Sequence, residues 1–233
     1  MGNNDIVYFV KKSPTNEELR YSLRSVEQNF PHRKVWIYGG KPDGIEPDEF
    51  VPINQIGSNK WEKVRNMLWK ACQNPNITDD FFLFNDDFFV MKPIEKYEPI
   101  YDGSVYKWII SIEGRNFDRP SAYTLELRRM IHELEHKGID CELKNYAVHM
   151  PMLVNKAKMI DVIREFKSPM FRNIYGNYWN IGGIDLKDMK ILRRNQTIDE
   201  NAPFLSSDDN AFAMREIGKC IRGKFKEKSR FEK

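Results

Sequence analysis

The sequence predicts an α/β fold with a mostly parallel central sheet flanked by helices. Three observations carry this. First, Phe81-Phe82-Leu83-Phe84 is continuously apolar, breaks at Asn85-Asp86-Asp87, and resumes as Phe88-Phe89-Val90. A short apolar run bounded by turn signals reads as a strand buried on both faces, as central parallel strands are. Second, the chain opens as strand, helix, strand at the length of a βαβ unit. Third, 233 residues with 41% hydrophobic and 13% aromatic content are enough for a core on each face of such a sheet.

Asp5-Ile6-Val7-Tyr8-Phe9-Val10 is the first strand, rich in β-branched and aromatic residues. Ser13-Pro14-Thr15-Asn16-Glu17-Glu18 starts a helix that runs to about Asn29, with Leu19, Leu23 and Val26 on one face. Phe30-Pro31 closes it. Lys34–Tyr38 is the second strand. Gly39-Gly40 after it reads as a turn, or as bare backbone for a phosphate, but lacks the spacing of a dinucleotide or P-loop motif. Phe50–Ile53 is a short strand, and Trp61–Cys72 a helix with Val64, Leu68 and Ala71 inward.

The central strand follows, with Asp86 and Asp87 at its carboxyl end, where open α/β sheets place ligands. Two carboxylates there suit a hard divalent cation completed by a substrate diphosphate. A capped loop after a core strand would look the same.

Beyond Pro93, Tyr106–Ile112 reads as a strand and Glu113–Pro120 as a polar loop forming an acceptor wall. Ala122–Lys137 is a helix closed by Gly138. His132 and His136 share one face of it, at zinc-binding spacing but with no third ligand, and read as a solvated face. A helix covers Lys156–Phe166, and Tyr175–Ile184 is an aromatic, glycine-rich stretch that would stack on sugars or bases, or anchor a turn. In Ser206-Ser207-Asp208-Asp209 the acids have a structural explanation as a helix cap.

Formal charge is nearly balanced at +3, which argues against disorder and gives no strong electrostatic preference. The basic residues between Lys219 and Lys233 outnumber Glu227 and Glu232, as in a frayed, solvated tail or one that touches phosphate or a membrane surface. Cys72, Cys141 and Cys220 share no metal-ligand spacing, which points to a reduced, cytoplasmic setting. No leader opens the chain and no run approaches a membrane span, so a soluble protein, with at most peripheral membrane contact, is expected. No repeat or linker divides the chain. One domain over residues 1–233 is expected, with a first half (1–100), a second half of α+β character (101–218) and the basic tail (219–233).

Several stretches together resemble the Stealth family of sugar-1-phosphate transferases. Glu18–Glu27 with the strand Val35–Tyr38 is similar to that family's second signature. Phe82-Leu83-Phe84-Asn85-Asp86-Asp87-Phe88-Phe89 is similar to its Asn-Asp-Asp stretch. His149-Met150-Pro151, Phe171-Arg172 and Ser207–Phe212 resemble its later histidine, arginine and aspartate motifs. The first signature differs: Phe9-Val10-Lys11-Lys12 stands where the family continues into Trp-Val-Asp/Asn-Gly. What remains is shared with glycosyltransferases of the A-type, a GT-A-like or Rossmann-like fold, where Asn85-Asp86-Asp87 would be a variant of Asp-x-Asp.

Both resemblances imply a nucleotide-sugar donor, most simply a UDP-sugar, on residues 1–100, an acceptor on residues 101–218, and Mn²⁺ or Mg²⁺ on Asp87 and Asp86, with His149 a further candidate ligand. Asp5, Lys60, Arg65, Asn85 and Asp86 are the expected donor contacts. In glycosyl transfer, a carboxylate base is needed, with Asp208 and Asp209 ahead of Asp118 or Glu113. In sugar-phosphate transfer, His149 is base or nucleophile and Arg172 forks phosphate oxygens. The altered first signature favours glycosyl transfer, to a glycan, lipid-linked or nucleic-acid acceptor. A non-catalytic glycan- or nucleic-acid-binding protein is the third reading.

Overall fold

A computed structural model describes residues 2–54, 59–113, 119–139, 141–192 and 196–233. The first half contains β1 (Asp5–Val10), α1 (Glu17–Asn29), β2 (Val35–Gly39), β3 (Glu49–Pro52), α2 (Lys60–Gln73), β4 (Asp80–Phe84), β5 (Phe88–Val90) and β6 (Ile100–Tyr101). Then come α3 (Val105–Glu113), α4 (Ala122–His136), β7 (Met152–Asn155), α5 (Lys156–Glu165) and α6 (Phe171–Tyr178). The chain finishes with β8 (Ile184–Asp185), β9 (Phe204–Ser206), α7 (Asp209–Met214) and α8 (Glu216–Lys224).

The central sheet has the order β3-β2-β1-β4-β7. All its neighbours are parallel except β7, which runs antiparallel to β4. This is the mostly parallel α/β architecture that the apolar strands predict. Strand residues alternate between two cores. Ile6, Tyr8 and Val10 of β1 and Phe82 and Phe84 of β4 pack with Leu19, Leu23 and Val26 of α1. Val7, Phe81 and Leu83 pack on the other face with Met67, Leu68 and Ala71 of α2. Both faces are covered, so the strands lack a polar period. Phe30 stands edge-on to Phe82 and Phe84, at 4.7 and 5.2 Å between centroids.

The chain leaves β1 for β2 on one side and returns to β4 on the other. The carboxyl ends of β1 and β4 therefore flank a topological switch point, where a crevice opens. α1 borders that crevice and holds β5 by polar side chains. Ser22 Oγ donates to Phe88 O at 2.5 Å, Ser25 Oγ accepts from Val90 N at 3.0 Å, and Asn29 Nδ2 donates to Val90 O at 2.7 Å. Gly40 lies against Lys12: a Cβ there would come within 2.4 Å of the Lys12 Cα. The glycine thus has a packing reason where β1 and β2 end together.

Two expectations are corrected. Tyr106–Ile112 lies in the helix α3, not a strand. Val105 and Ile109, four apart, are buried, while Tyr106, Ile110 and Ile112 are exposed. Ser104 caps that helix, its Oγ accepting from Lys107 N at 3.3 Å. β-branched composition mimicked a strand, and the helical spacing of the buried pair decided the matter.

The basic tail is not frayed. Phe225 and Phe231 are fully buried. Arg24 forks Glu232 with two 2.7 Å bonds, and the Glu232 side chain has no exposure. Arg230 forks Asp48 and Arg222 forks Glu17. The lysine-rich composition hid two aromatic anchors and a buried acid.

The aromatic, glycine-rich stretch begins inside α6, and Gly176 packs where a Cβ would collide with the Tyr146 ring. Residues 114–118 of the expected acceptor wall lie outside the described residues. His132 and His136 are both exposed, on the solvated face expected for them. Among the described residues no helix is long and apolar enough to cross a membrane.

Candidate functional site

The acid pair forms a tight turn between β4 and β5. Phe88 N donates to Asn85 O at 3.3 Å, which places Asp86 and Asp87 at the two corners. Asp is at home in turns and out of place in strands, so the apolar run must break here. The turn sits at the carboxyl end of the central strand, as its sequence predicts.

Asp86 is half-buried and accepts from Asn16 Nδ2, in the N-cap of α1, at 2.6 Å. Burial pushes its carboxyl from 3.8 up to about 6, the neighbouring Asp87 charge adds to this, and the Asn16 amide pulls the other way. Asp87 Oδ2 accepts from Lys190 Nζ at 3.0 Å. Its other oxygen, Oδ1, is buried and has no hydrogen-bond partner among the described residues. Such an orphan is costly unless something else occupies it.

A pocket of about 600 Å³ opens beside the turn, lined by Lys11, Lys12, Asn16, Glu18, Asp86 and Asp209 among others. The Glu18 carboxyl is buried and accepts from Ser207 Oγ at 2.5 Å. Burial and the neighbouring Asp209 hold it well above the ordinary carboxylate range. Lys12 is shared with a second pocket of about 760 Å³ over the ends of β2 and β3, where Gly40, Lys41, Phe50 and Lys70 also line the wall. An acidic turn thus adjoins a basic groove that carries one exposed aromatic ring.

Next to Phe88 stands a histidine held by a carboxylate. His149 Nδ1 lies 2.6 Å from Asp188 Oδ2, and His149 N donates to Asp188 Oδ1 at 3.0 Å. The ring is 34% exposed, and with Nδ1 engaged its Nε2 is the nitrogen left for chemistry. Asp188 is itself fixed, its N–H donating to Asp102 Oδ2 at 3.0 Å. The Phe88 ring lies edge-on to the imidazole, 6.5 Å between centroids.

Arg172 does not present a free fork. Its Nη1 donates to Val148 O and Met150 O, both at 2.7 Å, and its Nη2 to Leu83 O at 3.3 Å. It clamps the residues on either side of His149 to β4. Burial lowers its guanidinium pKa to about 10.

The remaining expected residues are dispersed. Asp5 stands at the amino end of β1, away from the switch point, and is fully buried. It receives both Arg33 nitrogens at 2.8 and 2.6 Å and Trp36 Nε1 at 3.0 Å, so it is a structural ion pair rather than a donor contact. Arg65 donates to Phe166 O at 3.3 Å and to Ile163 O, tying α2 to α5. Lys60 is exposed at the head of α2, 5.7 Å from the Trp61 ring centroid. Asn85 is exposed beside the acid turn. Asp208 caps α7, its Oδ1 accepting from Ala211 N at 2.7 Å, so a helix cap accounts for one of its two oxygens. Asp209 is exposed and lines the acid pocket.

Lys190 and Asp188 join the site without a sequence signal, and Glu18 joins it with none beyond its place at the head of the Glu18–Glu27 stretch. Glu18 reads as an ordinary first-turn acid, and Asp188 and Lys190 sit in a polar segment with no period. Among the described residues no three His, Cys, Asp or Glu side chains are placed to hold a metal ion as a closed cage. The arrangement does fit an ion of the magnesium type, which needs only one or two carboxylates and takes its other ligands from phosphates and water. The orphaned Asp87 Oδ1 and the raised Asp86 carboxyl are the groups such an ion would satisfy.

No family model matches the chain, so the likeness to Stealth proteins rests on its sequence islands. No curated protein matches either. Among solved structures, the apo-form glycosyltransferase GlyE of Streptococcus pneumoniae TIGR4 aligns at a TM-score of 0.29 and 10% identity. The alignment covers 70% of this chain and 44% of that one, so the chain spans less than half of the neighbour's length. Likeness at that level leaves fold and chemistry to the chain's own geometry.

Proposed function

We propose that the protein is a nucleotide-sugar transferase whose donor lies across the switch point, with glycosyl transfer as its reaction. The observation that carries this is the Asp86-Asp87 turn with its unpartnered, buried carboxylate oxygen, set beside a lysine-lined groove. Acids alone repel a diphosphate and lysines alone need no acids. The two together suit an anion delivered with a divalent cation.

In this reading the nucleoside occupies the groove over β2 and β3, with its base near the Phe50 ring and its phosphates near Lys12, Lys41 and Lys70. Asp87 Oδ1 and Asp86 would hold Mn²⁺ or Mg²⁺, which when bound supplies charge neutralisation on the leaving diphosphate. Lys190 engages Asp87 Oδ2, which leaves Oδ1 as the oxygen available to the ion. His149 is the base that fits best, because Asp188 fixes its tautomer and ring plane. The acceptor hydroxyl gives its proton to His149 Nε2 as its oxygen attacks the anomeric carbon. The bond from that carbon to the diphosphate oxygen breaks, and the nucleoside diphosphate leaves.

One observation favours a second reading. The His149–Asp188 pair also suits sugar-phosphate transfer, where the acceptor attacks the β-phosphorus and a nucleoside monophosphate leaves. Arg172 speaks against it, since its fork is engaged by backbone carbonyls. Incubation with a panel of nucleotide sugars and Mn²⁺, with the released nucleotide resolved by chromatography, separates them. Nucleoside diphosphate as first product supports glycosyl transfer. Monophosphate supports the second reading, and release of neither overturns the transferase reading.

A further inference from the structure

A cavity of about 700 Å³ lies between the start of α3, the segment after α4 and the end of α6. None of its lining residues belongs to the acid turn or the lysine groove. Tyr101 and Tyr178 are half-buried in its wall. Glu142, Lys144, Asn180 and Asp185 line it with them. The Lys144 ammonium stands 4.7 Å from the Tyr101 ring centroid. The hydroxyls of Tyr101 and Tyr178, the Glu142 carboxylate and the Asn180 amide make no side-chain hydrogen bond among the described residues.

Rings flanked by unused donors and acceptors match a specific ligand chemistry. A sugar ring offers a face of C–H groups to an aromatic surface and a rim of hydroxyls to mixed polar groups. The lining charges of Lys107 and Lys144 are balanced by Glu142 and Asp185, so the cavity does not select an anion. Asn180 holds a left-handed φ of 43° because it closes α6: its N–H donates to Asn177 O at 3.2 Å and Ile181 N to Gly176 O at 3.1 Å, which fixes its backbone at the rim of the cavity.

The cavity shares a frame with His149. β6 and β8 pair in parallel, and Asp185 of β8 lines the cavity. Three residues further on, Asp188 holds the His149 imidazole. Asp102, just after β6, receives Asp188 N at 3.0 Å. We propose that this cavity is a second saccharide subsite, which takes a neutral oligosaccharide segment of the acceptor away from the transfer centre. Its role as an acceptor subsite rests on the transferase reading; the binding itself does not.

The test is protein-observed NMR on the full chain without nucleotide. Maltohexaose, cellohexaose and chitohexaose are each titrated to about 10 mM, with a heparin hexasaccharide as the acidic comparison. At least one neutral probe should shift the amides of Gly103, Lys144, Asn180 and Asp185. Tyr178→Ala should weaken that probe by about tenfold or more. Because Tyr178 also packs on Phe166, at 5.1 Å between centroids, Asn180→Gly is the companion variant. Glycine accepts the left-handed backbone, so the fold is kept while the amide is lost. It should also weaken binding.

Shifts elsewhere, no binding by any neutral probe, preference for the heparin fragment, or full affinity in Asn180→Gly would overturn the proposal. Sugar transfer to an acceptor monosaccharide, with nucleotide released, but without oligosaccharide binding removes the subsite and keeps the transferase. Binding at these amides without nucleotide release does the reverse.

Discussion

Replacing Asp86 by Asn should make the protein more stable at pH 8, while removing a group that the proposed reaction needs. Asp86 is raised from 3.8 to about 6 by burial and by Asp87. Below pH 3.8 its carboxyl is protonated in the folded and the unfolded chain, and it costs the fold nothing. Between that value and about 6 the unfolded chain gives up the proton first. The fold then loses about 1.4 kcal/mol for each pH unit. Above pH 6 the loss is complete, at about 3 kcal/mol before screening at a half-buried turn is allowed for. Asn keeps the shape and an oxygen to accept from Asn16, and it has no charge to bury. The expected gain in urea unfolding is about 1–3 kcal/mol at pH 8, shrinking to nothing near pH 4. Mn²⁺ should close part of the same gap by stabilising the wild type alone, and only above pH 6. A variant no more stable than wild type at pH 8, or a difference independent of pH, would refute the reasoning.

The other predictions follow from the same geometry. Asp87→Asn should abolish Mn²⁺-dependent binding of a nucleoside diphosphate by calorimetry while the melting curve stays cooperative; equal affinity in both proteins would remove the metal assignment. His149→Ala should lower turnover by about two to four orders of magnitude. Asp188→Asn should also lower it and shift the pH profile, whereas wild-type turnover in His149→Ala, or a profile unchanged in both variants, would remove His149 as the base. Glu232→Ala leaves the Arg24 guanidinium, whose side chain is 8% exposed, buried without its carboxylate. It should cost about 3 kcal/mol or more in denaturant unfolding, and truncation after Gly223, which also deletes Phe225 and Phe231, should cost more. An unchanged midpoint in either would restore the picture of a loose tail.

The parallel strands and the position of the acid turn were legible in the residues themselves, whereas the antiparallel edge strand Met152–Asn155 was not. Phe81–Phe84 and Ile6–Val10 are apolar without a period because each residue meets a helix on one face or the other. Asp86 and Asp87 cannot continue such a strand, so the break, and with it the carboxyl end facing the crevice, is local chemistry written in adjacent residues. The α1 cap at Asn16 and the Asp208 cap follow from the same short-range rules.

What only the tertiary structure decided was the occupation of each polar side chain. Asp5, Arg65 and Arg172 carry the right charges for ligands, yet their partners are Arg33, the carbonyls of α5 and the carbonyls flanking His149. Those partners lie tens of residues away, and no spacing rule reports them. The same holds for the pairing of Asp188 with His149, of Lys190 with Asp87, and of Glu232 with Arg24 across 208 positions. Secondary structure is set by neighbours along the chain, and charge partners by neighbours in space. A carboxylate's role is fixed only when the fold has brought its counter-ion to it or, at Asp87 Oδ1, has left one oxygen without any.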